Sequence, residues 1–136
     1  MNNSELKRQV LKWTHLAEED FRLAEHAFTM KSNIPYRLIG YHAQQCAEKY
    51  LKGYLVSKLI DFPYSHSIEV LIKLCPPESG LHSLIEESAE LTNYAIARRY
   101  PGDYGKIAKK DAIIAVESAS NIRDRVRTLL LQENIL

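Results

Sequence analysis

Residues 41–54 read YHAQQCAEKYLKGY, and the fold turns on this stretch. Taken with Ile39, the residues Ala43, Cys46, Ala47, Tyr50, Leu51 and Tyr54 recur at steps of three and four. That is the spacing of an apolar stripe on a helix of 3.6 residues per turn. Between them run Gln44, Gln45, Glu48, Lys49 and Lys52. Gln44, Glu48 and Lys52 stand four apart and stack on one side, and a glutamate four residues ahead of a lysine is the favourable order for a helical ion pair. This helix is the expected spine of a small bundle. Its polar residues have two readings. They form a solvated face held by pairs one turn apart, or they are partly buried, in a cleft or a dimer seam, with Glu48 and Lys49 in partnered contacts.

Outward from the spine, the same periodicity predicts the other helices. Val10, Trp13, Leu16, Ala17, Phe21, Ala24, Ala27 and Phe28 keep helical spacing from a Ser4 cap to about Met30. Lys31–Pro35 breaks the period; Asn33 is placed to cap the second helix, and Pro35 is tolerated in a first turn. That helix then runs to Lys58 or Leu59. A connection this short makes the first two helices antiparallel neighbours. Ser65 or Ser67 caps a short third helix through Ile68, Leu71, Ile72 and Leu74, and capping also accounts for His66. Pro76 and Pro77 end it. Leu81, Leu84, Ile85, Ala89, Leu91, Tyr94 and Ala95 predict a fourth helix. Ala112, Ile113, Ala115, Val116, Ala119, Ile122, Val126, Leu129 and Leu130 predict the last. The expectation is a single all-α domain over 1–136, an antiparallel up-and-down helical bundle of four long helices plus one short helix.

Composition narrows the function. Hydrophobic residues make up 46%, which argues against disorder. Lys plus Arg number 18 and Asp plus Glu 17, so the chain lacks the basic excess of a general nucleic-acid binder. Cys46 and Cys75 make neither a disulfide framework nor a CxxC motif, and the charged N-terminus reads as neither signal peptide nor membrane span. A cytoplasmic protein with no membrane association is expected.

Two segments, AQQCAEKYLKGYL at 43–55 and LTNYAIARRYPGDY at 91–104, resemble the HEPN family of small prokaryotic helical domains. The resemblance implies the same bundle and extends over nearly the whole chain. It also implies homodimers and, often, a small nucleotidyltransferase as partner in a toxin–antitoxin-like arrangement. The family's catalytic members are metal-independent ribonucleases. Their signature is an arginine followed at short spacing by a histidine near the start of the final helix. Here Arg98 and Arg99 are followed by Tyr100, Pro101, Gly102, Asp103, Tyr104 and Gly105, and no histidine occurs after His82. The general acid or base is missing, so the chain is read as non-catalytic, with no catalytic residues assigned.

The 98–105 segment is the first candidate site from its residue types alone. Arginine presents a planar fork of donors to phosphate, and Tyr100 and Tyr104 offer rings for a base to stack on. The plain alternative is a helix connection whose arginines pair with carboxylates. The expected ligand-binding residues are Arg98, Arg99, Tyr100 and Tyr104 with Glu48 and Lys49 from the spine, where Glu48 can pair with an arginine of the segment. Arg37 and His42 match the ribonuclease spacing literally but lie in the second helix, where His42 is expected to pack beside the core with one nitrogen satisfied. His42 and Cys46 are four apart, but no second pair supports a metal, so neither metal nor cofactor is expected. Arg123, Arg125 and Arg127 are assigned to the solvated end of the last helix. The resulting expectation is a nucleotide- or RNA-binding module acting with a nucleotidyltransferase. The alternatives are a ribonuclease in which Tyr104 or His42 replaces the missing histidine beside Arg99, and a purely structural dimerisation protein.

Overall fold

A computed structural model describes residues 2–97 and 107–136. Six α-helices are seen among them, α1 (Asn3–Ala27), α2 (Tyr36–Ser57), α3 (Ile68–Leu74), α4 (Ile85–Ser88), α5 (Leu91–Ala97) and α6 (Lys109–Gln132), and no strand. The all-α architecture is as the periodicity predicts.

Every residue of the predicted α2 stripe, from Ile39 to Tyr54, is buried. Helix α2 is covered by α1 on one side and α6 on another, with α3 and α5 over the remainder. Contacts fix the directions. Asp20 of α1 meets Lys49 of α2, and Ala24 clusters with Ile39, so α1 and α2 are antiparallel. Ala112 clusters with Ile39 while Arg127 reaches Tyr50, so α6 runs parallel to α2. Val10, Ala17, Phe21 and Ala24 of α1, and Ala112, Ala115, Ala119, Ile122, Val126 and Leu130 of α6, close the core. Leu16, predicted to face inward, is exposed.

The helix ends differ in detail from the sequence reading. Asn2, not Ser4, caps α1, its Oδ1 accepting the Glu5 N–H at 2.8 Å; Ser4 already lies within the helix. No side chain caps α2, and Asn33 instead takes a left-handed backbone at φ 53° in the turn before it. Ser67 caps α3 through the Val70 N–H at 3.2 Å, as expected.

The predicted fourth long helix is instead a broken leg, with a 3₁₀ turn at His82–Leu84 followed by α4 and α5. The break coincides with other donors at the carbonyls. In a continuous helix the Glu87 carbonyl would accept from the Leu91 amide. Here it accepts the Ser118 hydroxyl of α6 at 3.0 Å. The Ser88 hydroxyl bonds back to the Leu84 and Ile85 carbonyls, and the Thr92 and Asn93 amides close shorter turns onto Ala89 and Glu90. Such back-bonding by serine competes with the helical ladder.

The break lets α5 settle on α2. Tyr94 packs against Gly40, so that a Cβ at residue 40 would fall 2.1 Å from its ring. Only glycine permits that approach.

Candidate functional site

The polar residues of α2 are not a solvated face. Gln44, Glu48 and Lys52 are all buried, the last two with side chains 6 and 8% exposed. Glu48 Oε2 accepts from Lys52 Nζ at 3.1 Å. Glu48 Oε1 accepts from Gln44 Nε2 at 3.0 Å and faces His66 Nδ1 at 2.8 Å. A carboxylate only accepts, so the proton of that pair sits on Nδ1 of His66. Gln44 Nε2 also donates to the His66 carbonyl at 3.1 Å, fastening the loop before α3 from two sides. His66 is therefore a hydrogen-bond donor to the Glu48 carboxylate rather than a capping group.

The Lys52 ammonium stands 5.8–6.0 Å from the ring centres of Phe62, Trp13 and Tyr64. Ring faces attract a desolvated cation at this range. Burial alone would raise the Glu48 carboxyl pKa. The hydrogen bonds from Gln44, His66 and Lys52 outweigh burial and hold it below its ordinary value.

A second cluster links α1 to α2. Asp20 takes Lys49 Nζ at 2.6 Å on one oxygen and His42 Nδ1 at 2.8 Å on the other. His42 thus has one nitrogen satisfied, as predicted. Arg37 and His42 stand five positions apart, which turns them about 140° from one another on one helix.

The third cluster corrects the reading of the α6 arginines. Arg123 forks onto both carboxylate oxygens of Glu18, with Nη2 3.1 Å from Oε2, and stacks 4.8 Å from the Phe21 ring centre. Tyr50 donates its hydroxyl to Glu18 and accepts from Arg127 at 3.3 Å. Arg125 donates to the Ser79 carbonyl at 2.6 Å. All three arginines tie α6 to other elements instead of serving its solvated end. The Arg123 fork is the planar, bidentate kind that fixes geometry as well as charge.

Of the expected ligand residues, Arg98, Arg99, Tyr100 and Tyr104 lie outside the described residues. Glu48 and Lys49 are described, and each is engaged within the chain. Both flanks of the 98–106 segment are anchored. The Tyr94 hydroxyl on α5 donates to the Asp111 carbonyl on α6 at 3.2 Å, and Asp111 Oδ2 accepts the Ala108 N–H at 2.8 Å. Beside these flanks, between α5 and α6, lies a cavity of about 400 Å³ lined by Leu91, Tyr94, Ile107, Asp111, Ile114 and Ala115 among others. The anchoring residue Asp111, and the partners Asp20 and His66, carry no motif that a reading of the chain could have used; Tyr94 is marked there only as an apolar position of a predicted helix and part of the 91–104 segment.

Among the described residues, no three His, Cys, Asp or Glu side chains are placed to hold a metal ion. No described helix is long and apolar enough to cross a membrane. Both cysteines are buried and free, and burial pushes the Cys75 thiol up to about 12. Neither thiol is expected to react with a disulfide reagent at pH 8 in the folded protein, whereas both react in denaturant. Rapid labelling of the native chain would contradict their placement.

Comparison with known proteins bears on the whole of this arrangement. A family model for the HEPN domain matches residues 10–129. A crystal structure described as that of an archaeal HEPN homologue is similar at 29% identity and a TM-score of 0.70, covering 89% of this chain and 97% of its own. No curated protein matches. The family model takes in the spine helix, both buried polar clusters around it and the anchored flanks of the arginine segment, and the chain belongs to the HEPN domain family.

Proposed function

We propose that this protein is a non-catalytic HEPN module. It binds a nucleotide or an RNA end through Arg98, Arg99, Tyr100 and Tyr104, acts as a homodimer, and works with a small nucleotidyltransferase in a toxin–antitoxin-like pair. The observation that carries the reading is the tie between Tyr94 and Asp111, which holds both ends of an arginine- and tyrosine-rich segment on the bundle. A ligand-binding segment on a rigid scaffold loses less entropy on binding than a free one. Glu48 and Lys49, placed in the same ligand-binding set from the sequence, each hold a partner within the chain, Lys52 and Asp20 respectively. The departure from the ribonuclease pattern supports a binding role, since no histidine follows His82 to move a proton.

The test is calorimetry with ATP, GTP and a short RNA on the purified protein. The Arg98→Ala/Arg99→Ala double variant is expected to lose at least tenfold in affinity, with its helical circular dichroism unchanged. Equal affinity in parent and double variant would sink the assignment. Cleavage of RNA in the presence of chelator, abolished by Arg99→Ala, would replace it with the ribonuclease reading.

A further inference from the structure

The cavity of about 400 Å³ between α5 and α6 falls in the size range of small-molecule pockets, roughly 300–1,000 Å³. Leu91, Tyr94, Ile107 and Ile114 give it apolar walls. Its polar lining is one-sided. The donors along the wall are committed within the chain. The Tyr94 hydroxyl donates to the Asp111 carbonyl, the Ser118 hydroxyl to the Glu87 carbonyl, and Asn93 Nδ2 to Glu90 Oε2 at 3.0 Å. Acceptors are left over. Glu90 and Asp111 both line the cavity, and each engages one carboxylate oxygen, with Asn93 and with the Ala108 amide. Glu90 Oε1 and Asp111 Oδ1 have no partner among the described residues. No lysine, arginine or histidine among the described residues lines the cavity. Tyr94 feels both carboxylates: burial first, then Asp111 and Glu90, hold its hydroxyl pKa above the ordinary value.

Such a cavity repels phosphate and suits an apolar body that carries adjacent N–H donors, because a carboxylate is an acceptor only. Of the RNA bases, guanine alone presents two neighbouring donors, N1–H and the N2 amino group, on its Watson–Crick edge, the edge by which unpaired bases are read. Adenine and cytosine each set a ring-nitrogen acceptor beside their amino group, and uracil flanks its one N–H with carbonyls. An acceptor turned toward a carboxylate is left unpaired, which a buried polar group tolerates poorly. We infer that this cavity is the base subsite of the protein and that it selects guanine, with Glu90 and Asp111 accepting from N1–H and the N2 amino group. The inference rests on the nucleotide-binding reading above and names its base. It also divides the ligand by charge, with the base in the acidic cavity and the phosphates outside it. An arginine side chain offers similar donors, but guanine brings them without a charge to desolvate against the apolar walls.

The test is calorimetry on the full chain with guanosine, adenosine, GTP, ATP and arginine amide. Guanosine is expected to bind roughly tenfold or more tighter than adenosine. Glu90→Gln and Asp111→Asn each remove a charge and keep an oxygen for the bond to Asn93 or to the Ala108 amide. An amide pairs with adenine and a carboxylate does not. At least one of the two variants should therefore lose guanosine affinity and narrow or invert the preference over adenosine, with circular dichroism unchanged. Loss of a merely structural contact would not change which base is preferred. Equal affinity for the two nucleosides, binding of neither, or a guanosine preference that both variants leave intact overturns the inference. Arginine amide binding tighter than guanosine overturns it as well and gives the cavity to a guanidinium. The two readings fail separately. GTP and ATP bound equally, with affinity lost in the Arg98→Ala/Arg99→Ala variant, removes the guanine subsite and leaves the segment assignment standing. Guanosine selection in a protein whose GTP affinity is untouched by that double variant keeps the subsite and removes the segment.

Discussion

Replacing Glu48 with alanine is expected to destabilise the protein by about 3–5 kcal/mol, read as a drop in the urea midpoint with little change in slope. The size follows from what the carboxylate leaves behind. Lys52 is buried, and its salt-bridge partner is Glu48. The three rings around it soften the loss of the carboxylate but supply no hydrogen-bond acceptor. An uncompensated buried ammonium costs more than the net worth of the pair that held it. Domains of this size have roughly 5–15 kcal/mol to lose, so the variant should sit near the edge of folding. A Glu48→Leu/Lys52→Met double variant removes both charges and should recover more than half of the loss. A single variant that loses less than about 1 kcal/mol, the scale of a solvated pair, would mean that water reaches Lys52.

The same residue sets an acid limit. The Glu48 carboxyl is lowered on folding because its three hydrogen-bond donors outweigh burial. A carboxyl lowered on folding contributes stability above its unfolded pKa, and that contribution is lost as the pH falls through the folded value. Stability of the parent should therefore start to decline near pH 4.3, roughly the unfolded glutamate pKa. A Glu48→Gln variant should decline less steeply over the same range. Glu18 is lowered as well, its hydrogen bonds from Arg123 and Tyr50 overcoming burial, so some acid sensitivity remains in that variant.

Gly40→Ala is the second large effect, and its sign runs against helix propensity. At an exposed mid-helix site this change gains about 1 kcal/mol. At residue 40 the new Cβ would lie 2.1–2.7 Å from three carbons of the Tyr94 ring. Either the ring or α5 has to move. Overpacking of this kind costs about 1–3 kcal/mol, and loss of the Tyr94–Asp111 hydrogen bond adds about 1. A net loss of about 1–3 kcal/mol is expected. The decisive measurement is the same substitution in a Tyr94→Ala background, where the three ring carbons nearest the Cβ are gone and Gly40→Ala should cost less or stabilise. If it destabilises equally in both backgrounds, the contact with Tyr94 is not the cause.

The long helices were legible because their apolar residues repeat with one period over many turns, and the whole α2 stripe packs as that period requires. The third leg was not legible as broken. Its apolar positions fit one continuous helix, and the break coincides with a hydrogen bond from Ser118, which approaches Glu87 only in the folded chain. The α2 polar ladder was ambiguous for a similar reason. Gln44, Glu48 and Lys52 have the same spacing whether water or protein covers them, and what covers them includes His66, 18 residues away. Arg123 and Arg127 read as surface charges because Glu18 is 105 residues from Arg123 and no local pattern announces the pairing. Of the candidate ligand residues, the sequence marks Arg98, Arg99, Tyr100 and Tyr104 through their chemistry. The ties that hold the ends of their segment are tertiary.

The pairing of Glu18 with Arg123 also orders events during synthesis. A ribosome releases α1 and α2 long before α6, and the early hairpin would hold Glu18 and Tyr50 without their arginine partners. Its α6-facing surface, from Ala43 to Tyr54, would be open to water. The nascent chain is therefore most exposed to wrong associations in the interval before Arg123 emerges, and the arrival of α6 ends it.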